Sequence, residues 1–232
     1  MPNRKHQSTC WNELRKLDLC QGVDSLGDYI LQVTKGEADA YVVAFTECTD
    51  IPTLEYIQRL HRTMFVRVYP WAGQFNKKGD DIWFGGLLSC DPAHIEHELN
   101  LLSDQTRELL ADASNDAGKC RALAFYHAKF ERIHPFKDGN GRVGRMIMES
   151  QLTHFFGSEE YRKPFNSHDY HAAIRRAQFR SDIRPLTNLI LEGESLSLLP
   201  RSHDQIPFSF QMKYGTWEER RARRREARNR II

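Results

Sequence analysis

The sequence predicts a mainly α-helical domain, a helical bundle that carries one short β-hairpin. Apolar residues recur at intervals of three and four along most of the 232 residues, which is typical of amphipathic helices. Hydrophobic residues make up 40% and charged residues 28%, which is ordinary for a globular protein and excludes collagenous and disordered chains. No apolar run is long enough to span a bilayer, so we expect no contact with a membrane.

Each element follows from its local pattern. Residues 11–20 and 24–33 predict two short amphipathic helices, and residues 53–68 a third that Thr53 caps. Residues 74–87 predict a hairpin with an apolar second arm, because glycine and aspartate turn residues precede that arm. Asp91-Pro92 opens a helix to about residue 110, and a polar loop over 111–118 follows it. Further helices are predicted over 119–133, from about 141, near 168–178 and near 185–193.

The length suits one domain with appendages. We expect a core domain over 51–196, preceded by a helical extension (1–50) and followed by a peripheral segment (197–232). Five scattered cysteines indicate free thiols, as in a reducing compartment. The first residues lack the apolar run of a Sec signal, so we expect a cytoplasmic protein, or an effector exported by another route.

Charge concentrates at the C-terminal end. The net charge is +2, and residues 217–232 hold seven arginines and three glutamates, so the rest of the chain is slightly negative. A basic face across the body, which DNA-binding domains carry, is not expected. The Arg-rich tail is interpreted as a solvated helix, a site for an acidic partner, or a contact for nucleic acid.

The chemistry is concentrated in residues 134–145. Gly139-Asn140-Gly141 leads into a predicted helix. At the start of such a helix, successive backbone N–H groups and the helix dipole favour the binding of phosphate. Arg142 and Arg145 are three residues apart and thus project from one side of that helix, which suits several phosphates.

An acid and a base complete this segment. Asp138 would repel phosphate unless a cation lay between them, which favours Mg²⁺ with the carboxylate as ligand. His134 precedes it, and an imidazole accepts protons near neutral pH. The set predicts attack by a hydroxyl on a nucleotide phosphate.

This segment resembles the signature of the Fic (filamentation induced by cAMP) family, His-x-Phe-x-Asp/Glu-Gly-Asn-Gly-Arg-x-x-Arg, at every fixed position. The resemblance covers about residues 50–195. It includes the stretch from Leu60 to the Trp71-Ala72-Gly73 turn, and a hairpin at 81–85 that matches the family's target-binding flap. Asn76 stands where the family often has arginine, and Gln178 where asparagine is common.

The resemblance implies the Fic fold, with the hairpin flap beside the active site. It also implies transfer of AMP from ATP to a Ser, Thr or Tyr hydroxyl of an unidentified target protein, with release of pyrophosphate and with Mg²⁺ as cofactor. It assigns His134 as the general base, Asp138 as the metal ligand and Arg145 as the contact for the γ-phosphate. The resemblance also implies residues that contact the phosphates (Gly139, Asn140, Gly141, Arg142), the adenine (Tyr170, His171, Gln178) and the target backbone (Ile82, Trp83, Phe84, Gly85).

Restraint of the activity is a separate expectation. The family often uses an inhibitory glutamate, for which Glu13 and Glu192 have partial motifs. Without one, a separate antitoxin protein would restrain a toxin. Other functions left open are removal of AMP from a target, phosphate transfer, and non-catalytic binding of nucleotide or nucleic acid.

Overall fold

The computed structural model describes residues 11–80, 82–84, 86–157 and 168–197, and it confirms a mainly helical fold. A helical turn at 11–14 and a 3₁₀ turn at Pro92–His94 accompany the longer elements. The helices are α1 (Leu26–Thr46), α2 (Leu54–Phe65), α3 (Ile95–Ala111), α4 (Asp116–Ile133), α5 (Asn140–Phe156), α6 (His168–Arg180) and α7 (Arg184–Ser197), and the strands are β1 (Trp83–Phe84) and β2 (Leu87–Leu88).

Helix α1 is longer than the short helix predicted over 24–33. Its second half buries Gly36, Ala40 and Ala44, small residues that give little hydrophobic signal in sequence. They allow close packing on α2, since a Cβ on Gly36 would lie 1.9 Å from the carbonyl oxygen of Met64. This crossing brings the start of α1 towards the loop between α4 and α5.

The hairpin is present and short. Trp83 pairs with Leu88 and Phe84 with Leu87 in antiparallel register. It is tied to the end of α4, because Cys90 N–H donates to the Ile133 carbonyl at 3.0 Å and Arg132 to the Leu88 carbonyl at 2.8 Å.

Two apolar clusters surround α4 and α5. One gathers α1, α2 and the Trp71 turn around Phe136, whose side chain is fully buried. The other packs α6 and α7 against the far sides of α4 and α5, around Leu123 and Leu186. The segment between the two helices is therefore anchored in the core through Phe136.

The chain divides into two compact units, Met1–Leu191 and Glu192–Ile232. Of the second, the structure describes only 192–197, the last residues of α7, so the Arg-rich tail lies outside the described residues. The predicted boundaries at 50 and 196 stay predictions. Within the described ranges, every helix is too short or too polar to cross a bilayer.

Candidate active site

His134 ends helix α4 in a left-handed conformation, with φ 55°. Such a conformation is uncommon for a residue with a side chain and persists where neighbours hold it. Here the side-chain amide of Asn76 donates to the His134 carbonyl at 3.1 Å, and Asn76 N–H donates to the Pro135 carbonyl at 2.8 Å. The buried Asn76 thus braces the turn that presents the imidazole.

The imidazole of His134 is neutral. Burial lowers its pKa to about 4, although the Glu131 carbonyl and the Asp138 charge act in the opposite direction. Nδ1 lies 3.3 Å from the Glu131 carbonyl oxygen, which can only accept, so Nδ1 carries the proton and Nε2 keeps a lone pair. The Phe84 ring stacks on the imidazole at 3.8 Å, which links the hairpin to His134.

The loop after His134 is held by its own side chains. Asn140 accepts from Phe136 N–H at 2.9 Å and donates to the Phe136 carbonyl at 2.7 Å. Gly139 has φ 84°, and a Cβ there would lie 2.4 Å from the Phe65 ring, so only glycine fits. Since the Asn140 amide is engaged, Asn140 and Gly141 can offer a phosphate their backbone N–H groups at the start of α5.

Asp138 is the most fully bonded side chain of the loop. Its Oδ2 accepts from Tyr69 at 2.6 Å, from Arg142 at 2.7 Å and from Tyr29 at 3.4 Å. Burial acts to raise the pKa of this carboxyl, but Arg142 and Tyr69 outweigh burial and hold the pKa below its usual value. The carboxylate is therefore charged at neutral pH.

His61 of α2 forms a hydrogen bond with the backbone of Asp138. Gly73 N–H donates to its Nδ1 at 2.9 Å, so Nε2 carries the proton and donates to the Asp138 carbonyl at 3.1 Å. Its ring stacks on Phe136 at 3.8 Å. Burial lowers the pKa of His61 to about 4, which keeps it neutral in this structural role.

Arg145 faces different neighbours from Arg142. A Cβ on Gly141 would lie 3.0 Å from Arg145 Nη1, so the guanidinium packs along the first turn of α5. Its Cζ lies 6.0 Å from the centre of the Tyr170 ring. Arg142, in contrast, lies over the Phe65 ring at 4.4 Å and binds Asp138 and Tyr29.

Glu131 is a buried carboxylate beneath Gly144 that the sequence analysis did not single out. It is 7% exposed, and its Oε1 has no hydrogen-bond partner. Burial raises its pKa to about 7, and the charge of Arg145 acts against this shift. A Cβ on Gly144 would lie 2.5 Å from this Oε1.

His127 lies between this carboxylate and α6. Its Nδ1–H donates to the Gly144 carbonyl at 3.1 Å, and its Nε2 accepts from the Tyr170 hydroxyl at 2.7 Å. Nε2 also lies 4.0 Å from Glu131 Oε1. Burial lowers the pKa of His127 to about 3, so the fully buried ring is neutral.

The other predicted site residues fall in several places. Tyr170 is buried, the adjacent His171 is exposed with its ring edge-on to Tyr170 at 5.1 Å, and Gln178 is half-buried later on α6. Glu13 is exposed and pairs with Lys16 at 2.7 Å. In the predicted flap, Ile82 is half-buried, and for Trp83 the structure describes the backbone. Gly85 and the side chain of Glu192 lie outside the described residues.

The residues present fit a magnesium ion that nucleotide phosphates help to hold. Among the described residues, no three His, Cys, Asp or Glu side chains cluster as metal ligands. Mg²⁺ at such sites commonly takes one carboxylate and completes its shell with phosphate oxygens and water. Asp138 is charged and the three side-chain donors described above hold its Oδ2 in place, so its carboxylate is the anionic group that this loop offers to an ion.

A family model described as "Fic/DOC family" matches residues 51–152. The chain is 31% identical over 137 residues to the "Probable protein adenylyltransferase y4lH" of Sinorhizobium fredii, covering 56% of this chain and 67% of that protein. The chain belongs to the Fic/DOC family.

Other comparisons agree on the fold of this Fic protein. It is 30% identical over 102 residues to the "Probable protein adenylyltransferase Fic" of Escherichia coli. The aligned region covers 44% of this chain and 50% of that protein. The structure of "BepC protein" with bound AMPPNP from Bartonella tribocorum has a TM-score of 0.57 at 16% identity, covering 76% of this chain and 90% of that one. The family match contains His134–Arg145 but neither Tyr29 nor Tyr170.

Proposed function

We propose that this Fic protein transfers AMP from ATP to a hydroxyl side chain of a target protein. The observation that carries the proposal is the neutral His134, with an unprotonated Nε2, beside the first turn of α5 and the charged Asp138. The names of its relatives, protein adenylyltransferases from Sinorhizobium fredii and Escherichia coli, support it.

In the proposed reaction the target oxygen attacks the α-phosphorus of ATP. The bond from this phosphorus to the bridging oxygen breaks, pyrophosphate leaves, and the hydroxyl proton passes to His134 Nε2. The N–H groups of Asn140 and Gly141 and the guanidinium of Arg145 bind phosphate oxygens. Tyr170, His171 and Gln178 line the adenine, and residues 82–85 hold the target backbone.

Mg²⁺, bound through Asp138 and the phosphates, would neutralise charge on the leaving group. The protein's own contribution is to keep Asp138 ionised and in place through Tyr69 and Arg142. His134 needs no such charge, because a general base must be neutral when the hydroxyl approaches.

Labelled ATP tests the proposal directly. Wild-type protein and His134→Ala are incubated with a cell lysate and ATP labelled at the α-phosphate. We expect label in a protein band, reduced about 10²- to 10⁴-fold in the variant, the usual contribution of a general base. His97→Ala is the matched control, since His97 is exposed on α3; label that comes from γ-labelled ATP alone would instead identify a phosphotransferase.

Restraint by Glu13, by Glu192 or by an antitoxin protein remains part of the proposal. Glu13 pairs with Lys16 at the surface, so an inhibitory role would require that exposed pair to open. Glu13→Gly and Glu192→Gly separate the two glutamates. A sharp rise in self-labelling in one of them identifies the inhibitory residue, and no rise in either favours a separate protein.

A further inference from the structure

Two tyrosine hydroxyls, one carboxylate and one guanidinium meet at Asp138. Tyr69 is 2.6 Å from Asp138 Oδ2, and Arg142 Nη2 is 2.7 Å from the same oxygen. The Tyr29 hydroxyl lies 2.9 Å from Arg142 Nη2, 3.3 Å from the Tyr69 hydroxyl and 3.4 Å from Asp138 Oδ2. Tyr29 therefore touches every other member of the cluster.

Counting protons fixes the direction of these bonds. Arg142 can only donate, so the Tyr29 oxygen accepts from it. Tyr69 has one proton and directs it to Asp138 at 2.6 Å, so it can only accept from Tyr29. The single proton of Tyr29 is thus shared between the Tyr69 oxygen and the Asp138 carboxylate, and its hydroxyl couples the cation to the anion.

Tyr29 comes from helix α1, before the part of the chain that matches the family model, which begins at residue 51. The contact of Gly36 with Met64 fixes where α1 crosses α2. Farther along α1, the Tyr56 hydroxyl donates to the Ala44 carbonyl at 3.3 Å. The start of α1 is therefore held in place by packing outside the site.

We propose that Tyr29 is a positioning residue of the active site: its hydroxyl ties Arg142 to Asp138 and so holds the carboxylate in place for Mg²⁺. The proposal rests on the function proposed above for this site. It makes helix α1 part of the catalytic unit, although the helix lies outside the family match. Tyr29 touches no reacting atom in this arrangement and acts through Asp138 and Arg142.

The test compares Tyr29→Phe with Tyr56→Phe. Both variants remove one buried hydroxyl that joins α1 to another element, but Tyr56 is remote from Asp138 and controls for loss of helix packing. Calorimetry measures ATP affinity with Mg²⁺ and with EDTA. We expect Tyr29→Phe to weaken the Mg²⁺-dependent affinity about five- to tenfold, the size of one charge-assisted hydrogen bond, and to leave the affinity in EDTA unchanged.

A second measurement needs no nucleotide. Nitrogen-15 NMR of the Arg142 guanidinium reports rotation about its Nε–Cζ bond. We expect rotation to be slow in the wild type and in Tyr56→Phe, and at least tenfold faster in Tyr29→Phe. If the wild type fails to bind Mg²⁺ and ATP, the proposed function is wrong, and this measurement still decides the role of Tyr29.

The outcomes are separable. Equal Arg142 rotation in Tyr29→Phe and the wild type overturns the proposal, as does an unchanged Mg²⁺-dependent affinity in a wild type that binds the pair. Equal losses in Tyr29→Phe and Tyr56→Phe also overturn it, because they would assign the effect to helix packing. A loss confined to Tyr29→Phe supports the positioning role.

Discussion

Asp138 and Arg142 are surrounded by hydrogen-bond partners, whereas His134 and Glu131, at the C-terminal end of α4, keep unused bonding capacity. Oδ2 of Asp138 has three side-chain donors. His134 has one weak bond at 3.3 Å, and Oε1 of Glu131 has none. The charged group of the site is thus fixed in advance, whereas Nε2 of His134 keeps a lone pair that the proposed reaction would use; such preorganised charge is how enzymes lower a barrier.

The strongest test of the fixed end is Asp138→Asn. The substitution removes the charge that binds Arg142 and would bind Mg²⁺, so we expect AMP transfer to fall at least about 100-fold. Transfer of labelled AMP at several Mg²⁺ concentrations measures it. Asp104→Asn is the control, because Asp104 forms an exposed pair with Arg107 on α3.

Asp138→Asn also leaves Arg142 without its partner. We therefore expect a lower free energy of unfolding as well, and thermal unfolding separates that loss from the loss of activity. If a folded Asp138→Asn protein transfers AMP at an undiminished rate, the charged end is not the part that the reaction uses.

The next test crowds the sparsely bonded end. In Gly144→Ala the new methyl group would lie 2.5 Å from Glu131 Oε1 and 3.0 Å from the Phe130 ring. We expect the free energy of unfolding to fall by about 1–3 kcal/mol, the usual cost of overpacking. Denaturant unfolding measures it.

Gly27→Ala is the comparison for Gly144→Ala. A Cβ on Gly27 meets only Ser25 Oγ at 3.5 Å, an ordinary contact. This helical position should keep or slightly gain stability, since alanine favours helix over glycine. Equal behaviour of the two variants would mean that Glu131 has room to move.

The mildest test is Phe84→Ala, which uncovers the base. Burial holds the pKa of His134 at about 4, so wild-type activity should fall only as the pH drops through that value and the base becomes protonated. Without the Phe84 ring the imidazole is more solvated, its pKa rises towards 6.5, and the acid limb of the pH profile moves up by about one unit.

Phe179→Ala removes an exposed phenylalanine on α6 and should leave the pH profile unchanged. An acid limb that stays near pH 4 in Phe84→Ala would show that the stacking seen here contributes little to the desolvation of His134. The initial rates should be taken at saturating ATP and at a saturating concentration of the target protein, so that loss of target binding by the flap does not distort the limb.

Residues that act through local pattern could be predicted from the sequence. Thr53 caps α2 by accepting from Tyr56 N–H at 3.2 Å, as expected. Such features depend on a few neighbouring positions, which a sequence displays directly. The roles assigned to His134, Asp138 and Arg145 remain predictions that the experiments above test.

Residues that act across long separations could not be predicted. Tyr29 lies 109 positions before Asp138, and in an amphipathic helix a tyrosine indicates core packing. In the sequence, Glu131 is one of several charged residues on a helix. Its close approach to Gly144 is evident only in the structure. The second half of α1 was missed because its buried residues are small.

The sequence by itself determined the helical class, the order of the elements and the composition of the loop from His134 to Arg145, because periodicity and short motifs are local properties. Only the tertiary structure decided which partners each of these groups has: Tyr29 and Tyr69 on Asp138, Phe84 on His134, and Gly144 over Glu131. The physical reason is that protonation and orientation depend on burial and on neighbouring charges, and packing brings these neighbours from distant parts of the chain.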